Sequence, residues 1–224
     1  MNKQYQYLGE ISVFFVAVLL ISNVAAAKIV QIGWLSFDGG TLLFPLSYIF
    51  GDILTEVYGY KRSRKVIWLG FFCAFVMSAI FLIVGLLPAS PEWGGQDAYN
   101  MILGFVPRIV GASLIAYLAG EFCNSYILAK MKIATSGRWL WTRTIGSTLV
   151  GQLVDSAIFV TIAFAGIFST GLLFTMIISN YLFKTAIEIL FTPVTYKTVT
   201  WLKKKEIEDY YDYDTNFNPF AVKE

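Results

Sequence analysis

The chain has no histidine. That absence removes a histidine metal site, a Ser-His-Asp triad and a histidine proton relay in one step. It has two cysteines, Cys73 and Cys123. Each lies inside an apolar run, so both read as small apolar core residues rather than as a disulfide or a CxxC redox pair. Charge is scarce as well. Charged residues make up 14% of the 224, against about 25% in soluble domains. The formal net charge of +2 gives no reason to expect a nucleic-acid partner. A glycine-rich phosphate loop and low-complexity tracts are absent too.

Apolar residues fill that space, at 57% of the chain, with a mean hydropathy of +0.63. Several runs approach or exceed the roughly 20 residues that cross a bilayer. The sequence therefore predicts an all-α integral membrane protein, a bundle of about six transmembrane helices. The expected spans are residues 11–30, 41–58, 66–87, 105–129, 144–168 and 170–202, with Pro193 inside the last and expected to kink it. Residues 1–202 form the transmembrane domain, and 203–224 a polar cytoplasmic tail expected to be partly disordered. The start of the chain is too mixed for a cleaved signal peptide, so the first span reads as a retained helix.

Orientation follows from lysine and arginine. One set of loops, with the tail, holds Lys61, Arg62, Arg64, Lys65, Lys130, Lys132, Arg138, Arg143, Lys203, Lys204 and Lys205, and the opposite loops hold none. Both termini are therefore expected in the cytoplasm. The run YKRSRK reads as the cytoplasmic stop of the second span. Trp34, Trp93, Trp139, Trp141 and Trp201 fall near span ends, as an interfacial aromatic belt requires.

The spans also carry residues that lipid does not tolerate: Lys28, Asp52, Glu56, Arg108, Glu121, Asp155, Lys184 and Glu188, with Asn23, Gln152, Ser156 and Asn180. A charge at bilayer depth costs at least a few kcal/mol, so such residues face the bundle interior. Lys28 and Arg108 lie close enough to span ends to snorkel. Tyr48, Asp52 and Glu56 share one helical face, as do Gln152, Asp155 and Ser156, Glu121 and Asn124, and Asn180, Lys184 and Glu188. One reading is interhelical glue, with Lys184 paired to Glu188 or another carboxylate. The other is a solute cavity, favoured because glue rarely needs so many ionisable groups. Carboxylates, amides and aromatic rings suit a flat, nitrogen-rich solute. The residues alone reach a carrier or channel for a small polar solute, with no metal and no cofactor.

FPLSYIFGDILTEVYGYKRSRKVIW, residues 44–68, resembles the signature of the queuosine precursor transporter family, also called the vitamin uptake transporter family. ISNVAAAKI, RIVGASLIAYLAGEF and RTIGSTLVGQLVDSAIF extend the resemblance over residues 11–203. It implies a six-helix inner-membrane protein that takes up 7-deazaguanine bases for tRNA queuosine modification: 7-cyano-7-deazaguanine, 7-aminomethyl-7-deazaguanine or queuine. For such a ligand the expected binding residues are Asp155 and Gln152 first, then Glu188, Asn180, Asn23 and Asp52. Tyr48 or a phenylalanine could stack, and Lys184, on the face of Asn180 and Glu188, completes the expected set. Glu56 and Arg108 are expected to pair structurally or to line the path. Gly111, Gly120, Gly146 and Gly151 could support close helix packing or a homodimer. Two rival readings are a substrate-capturing subunit of an energy-coupling-factor importer, docked through Ala25, Ala26 and Ala27, and an intramembrane enzyme. The second lacks a visible nucleophile–base pair.

Overall fold

A computed structural model describes residues 5–220. The expected all-α membrane bundle is present, built from α1 (Leu8–Ala25), α2 (Phe44–Tyr58), α3 (Tyr60–Leu86), the short α4 (Gln96–Ile102), α5 (Val106–Ala134), α6 (Leu140–Phe164) and α7 (Thr170–Glu206). Five helical segments are long and apolar enough to cross a membrane. The second expected span differs from that set. Its helix has only 15 residues, about 23 Å at 1.5 Å per residue, which is short of a bilayer core.

The missing depth comes from a feature that the apolar pattern concealed. After α1 the chain forms a two-stranded antiparallel hairpin, β1 (Ile29–Ile32) and β2 (Leu35–Asp38), followed by a 3-10 turn over Gly39–Leu42. The expected first span thus ends about five residues early. Ile29 and Val30 are β-branched and suit a strand. Gly33, at φ 61°, fills the turn position that favours glycine in a two-residue hairpin. Backbone this irregular at membrane depth is tolerated only when protein covers it, and β2 is buried against α7. The Phe37 and Phe183 rings stack at 5.1 Å, and Ser36 N donates to Ser179 Oγ at 3.4 Å.

The start of α1 and the end of α7 meet at one end of the bundle. Tyr7 N and Gln6 N donate to the two carboxylate oxygens of Glu206, at 2.7 and 3.0 Å. Hairpin, 3-10 turn and α2 together carry the chain from α1 to α3, with α2 buried along almost its whole length.

Three further expectations are corrected. YKRSRK is not a loop: α3 begins at Tyr60 directly after Gly59, whose φ of 85° breaks the chain where a side chain would be strained. Nor is the tail free. Through Phe220 it lies across the ends of α2, α3 and α5. Tyr60 N donates to both Asp212 oxygens at 3.2 and 3.1 Å. Trp68 Nε1 donates to Pro219 O at 2.8 Å. The buried Arg64 donates to Asn216 O at 2.8 Å and Asn218 O at 2.5 Å. Unpaired donors at the helix ends, not a hydrophobic run, recruit this segment. α7 runs without a break through Pro193. Cys73 and Cys123 are half-buried on their helices rather than deep in the core. The five span-end tryptophans are exposed, as an aromatic belt requires.

Candidate functional site

α5 and α6 approach each other at Gly120 and Gly151. A Cβ on Gly120 would lie 2.6 Å from the Tyr48 hydroxyl, 2.8 Å from Asp155 Cβ and 2.9 Å from Gly151 O. These two glycines therefore serve packing within the chain. Their closeness brings the polar faces of α2, α5, α6 and α7 into one buried region.

Lys184 pairs with Asp155 rather than with its helical neighbour Glu188. Its Nζ donates to Asp155 Oδ2 at 2.8 Å, with both side chains 2% exposed. The ammonium also sits over the rings of Phe44 at 4.7 Å and Phe159 at 5.8 Å. One turn away, Gln152 Nε2 donates to Glu188 Oε1 at 2.6 Å. Gln152 Oε1 and Glu188 Oε2 are both buried without a hydrogen-bond partner. Neither acceptor is satisfied by a well-formed hydrogen bond, although the Thr148 hydroxyl lies close to Glu188, and this costs free energy unless a ligand or water supplies donors. The Tyr48 hydroxyl and Ser156 Oγ are buried and unpartnered too. The Tyr48 ring lies 5.4 Å from that of Tyr117.

Asp52 is joined to α5 by Asn124 Nδ2, at 2.8 Å. Asn180 hydrogen-bonds to the hairpin side rather than to Gln152 or Glu188, donating to Asp38 Oδ2 at 3.1 Å while Thr41 Oγ1 donates to its Oδ1 at 3.1 Å. Asn23 donates within α1 to Leu19 O at 2.8 Å, and its Oδ1 is unpartnered. The sequence reading thus named the four residues of the α6–α7 pairs without their pairing, and missed Asp38. That residue lies in a stretch read as an outer loop. The clue was DGG, Asp38–Gly40, a turn signal closing a hairpin just before an apolar run.

Glu56 is a structural partner of basic residues. Its carboxylate meets Arg143 at 3.0 Å, Lys203 at 2.7 Å and Lys132 at 3.6 Å. Lys132 and Lys203 also reach Asp209 of the tail, at 2.8 and 2.9 Å. Burial works to raise the Asp209 carboxyl, but the hydrogen bonds from Lys132 and Lys203 outweigh it and hold it below the ordinary aspartate range. Arg108 is exposed and donates to the free carbonyls at the end of α6, Ile162 O at 3.1 Å and Ala165 O at 2.6 Å. Lys28 is exposed at the hairpin base.

Residues 38–198 match the family described as putative vitamin uptake transporter. The chain is 34% identical over 179 residues to the probable queuosine precursor transporter of Bacillus subtilis (strain 168), covering 78% of this chain and 77% of the relative. It is 25% identical over 211 residues to the queuosine precursor transporter of Escherichia coli (strain K12), covering 93% of each. With the probable queuosine precursor transporter of Haemophilus influenzae it shares 28% over 125 residues, 56% of this chain and 51% of the relative. These relatives are named as transporters, neither as enzymes nor as capture subunits of a larger importer. No solved structure matches the chain.

Proposed function

The chain belongs to the putative vitamin uptake transporter family, and we propose that it is an inner-membrane transporter of queuosine precursors, the 7-deazaguanine bases. A 7-deazaguanine carries the ring N1–H and the exocyclic amine side by side, with a carbonyl next to them. The observation that carries the proposal is the matching pair of partnerless acceptors, Gln152 Oε1 and Glu188 Oε2, held together by the Gln152–Glu188 bond. The base donates its two N–H groups to these acceptors. Ser156 or the Tyr48 hydroxyl donates to its carbonyl, and an aromatic face covers the ring.

In this reading Asp155 and Lys184 hold α6 to α7 beside the base. Asn180, with Asp38, fastens the hairpin on one side of it. Asn23 and the Asp52–Asn124 pair belong to the walls. The end where the termini meet faces the cytoplasm. The positive charge gathered there supports this: Lys132, Arg143 and Lys203 converge on Glu56.

The test is a binding measurement on the purified protein with guanine, queuine, 7-cyano-7-deazaguanine and 7-aminomethyl-7-deazaguanine. At least one deazaguanine binds more tightly than guanine. Glu188→Gln weakens that binding about 2- to 12-fold, the net worth of one hydrogen bond. Failure of every deazaguanine to bind would overturn the reading.

A further inference from the structure

Building on the transporter reading, we propose that Glu121 is a proton-carrying site, separate from the site for the base, and that it couples solute uptake to proton entry. Glu121 is fully buried, and among the described residues no lysine or arginine lies within ion-pair distance of it. Its Oε1 accepts from Ser125 Oγ at 3.2 Å, and Ser125 Oγ in turn meets Thr55 Oγ1 of α2 at 3.1 Å. Its Oε2 makes no well-formed hydrogen bond, although the Tyr117 hydroxyl lies close to the carboxyl group. One turn further along α5, Asn124 binds Asp52 through Nδ2 while its fully buried Oδ1 is left unpartnered. α2 presents Gly51 to the Glu121 carboxylate, and any Cβ at that position would overlap Oε1. The two helices are thus shaped to enclose this carboxyl group.

Charge decides what the site holds. The groups that face Glu121 are Asp52 and Tyr48 on α2, Tyr60 on α3, Tyr117 on α5 and Glu188 on α7, and Asp155 of α6 lies near Tyr48 and Tyr117. α1 adds only the ring of Phe15, 6.1 Å from that of Tyr117. Carboxylates and phenols surround it. Lys184 is committed to Asp155, and the three basic residues near Glu56 are committed to Glu56 and Asp209. An ionised carboxylate in such surroundings is too costly to persist without a counter-ion. A proton suits the site better than a metal ion. The described residues contain no group of three or more carboxylates or cysteines with metal-holding geometry, and a lone proton needs one oxygen. The step is balanced: on the outer side Glu121 takes a proton from hydronium, leaving water, and on the inner side it returns that proton to water. Separation of α2 from α5 at Gly51 exposes the carboxyl group to either side in turn.

The experiment uses the purified protein in liposomes with labelled 7-cyano-7-deazaguanine, a neutral solute. An inward pH gradient of one unit drives accumulation of up to about tenfold for one proton per solute, and a sodium gradient has no effect. Glu121→Gln keeps exchange of labelled for unlabelled base, because it does not touch the base, but loses the response to the gradient. Infrared difference spectra of the parent against Glu121→Gln at neutral pH show the carbonyl stretch of one protonated carboxylic acid. Accumulation driven by sodium, or a pH gradient without effect on a parent that exchanges base, would overturn the coupling. A Glu121→Gln protein that still accumulates would do the same. Absence of base exchange in the parent would instead sink the transporter reading. The infrared band would then decide the proton site by itself, and its absence would refute it. Should Glu121→Gln not fold, the gradient response of the parent and its infrared spectrum across a pH titration decide the same question.

Discussion

Asp155 looks replaceable by its isostere, since asparagine fills the same volume. The ion pair with Lys184 reverses that expectation. At 2.8 Å, with both partners 2% exposed, the attraction is about 6 kcal/mol at an effective dielectric near 20. The desolvation of both groups offsets most of it. Asp155→Asn removes the attraction and leaves the ammonium buried, which costs about 3–5 kcal/mol. The rings of Phe44 and Phe159 flank the ammonium in the parent as well, so their cation–π contacts do not offset the loss. The variant should therefore melt at least about 5 °C lower in detergent. Asp155→Asn combined with Lys184→Met should recover most of that loss, because an uncharged pair needs no partner. Thermal melting of the parent, both single variants and the double variant makes a complete cycle. An Asp155→Asn protein that melts with the parent, or a double variant worse than either single one, would refute the reasoning.

Glu56→Gln strands the buried Arg143 and should lower stability by about 3–5 kcal/mol, read as loss of folded yield with base affinity in the surviving protein unchanged. Gly120→Ala drives a methyl group into Gly151 O and the Tyr48 hydroxyl. It should cost about 1–3 kcal/mol in melting experiments. Asp209 has a folded-state pKa below its ordinary 3.8, so its stabilisation is present above that value and is lost as pH falls through the depressed one. Asp209→Asn should accordingly melt slightly lower at pH 7, by at most about 1 kcal/mol for so exposed a pair, and should converge with the parent only once the pH has fallen below the depressed value. For topology, an impermeant thiol reagent on intact cells should label a cysteine at Asn100 and not one at Ser136; the reverse pattern would invert the orientation.

The five long helices could be read from apolar run length, because a lipid-spanning helix must be apolar for its full length. The shared polar faces were legible from helical spacing, and that spacing placed Gln152, Asp155, Lys184 and Glu188 on facing stripes. It could not choose partners. Lys184 lies one turn from Glu188 yet pairs with Asp155 on α6, since partner choice depends on how closely α5, α6 and α7 pack. The hairpin stayed hidden because Ile29 to Ile32 is as apolar as the helix before it. Only Gly33 and the Asp38–Gly40 turn signalled a change of structure. The tail was misjudged for a related reason. Its polar composition suggests solvation, but its carbonyls and carboxylates serve donors such as Arg64 and Tyr60 N, which composition does not reveal.

The central claim, that this chain alone moves a queuosine precursor through the membrane, is tested most directly by uptake of labelled 7-cyano-7-deazaguanine into liposomes containing only the purified protein. The account predicts time-dependent entry that excess unlabelled base competes away and that Glu188→Gln slows at low solute concentration. Binding without entry, with entry restored only by adding an ATP-hydrolysing partner, would contradict it.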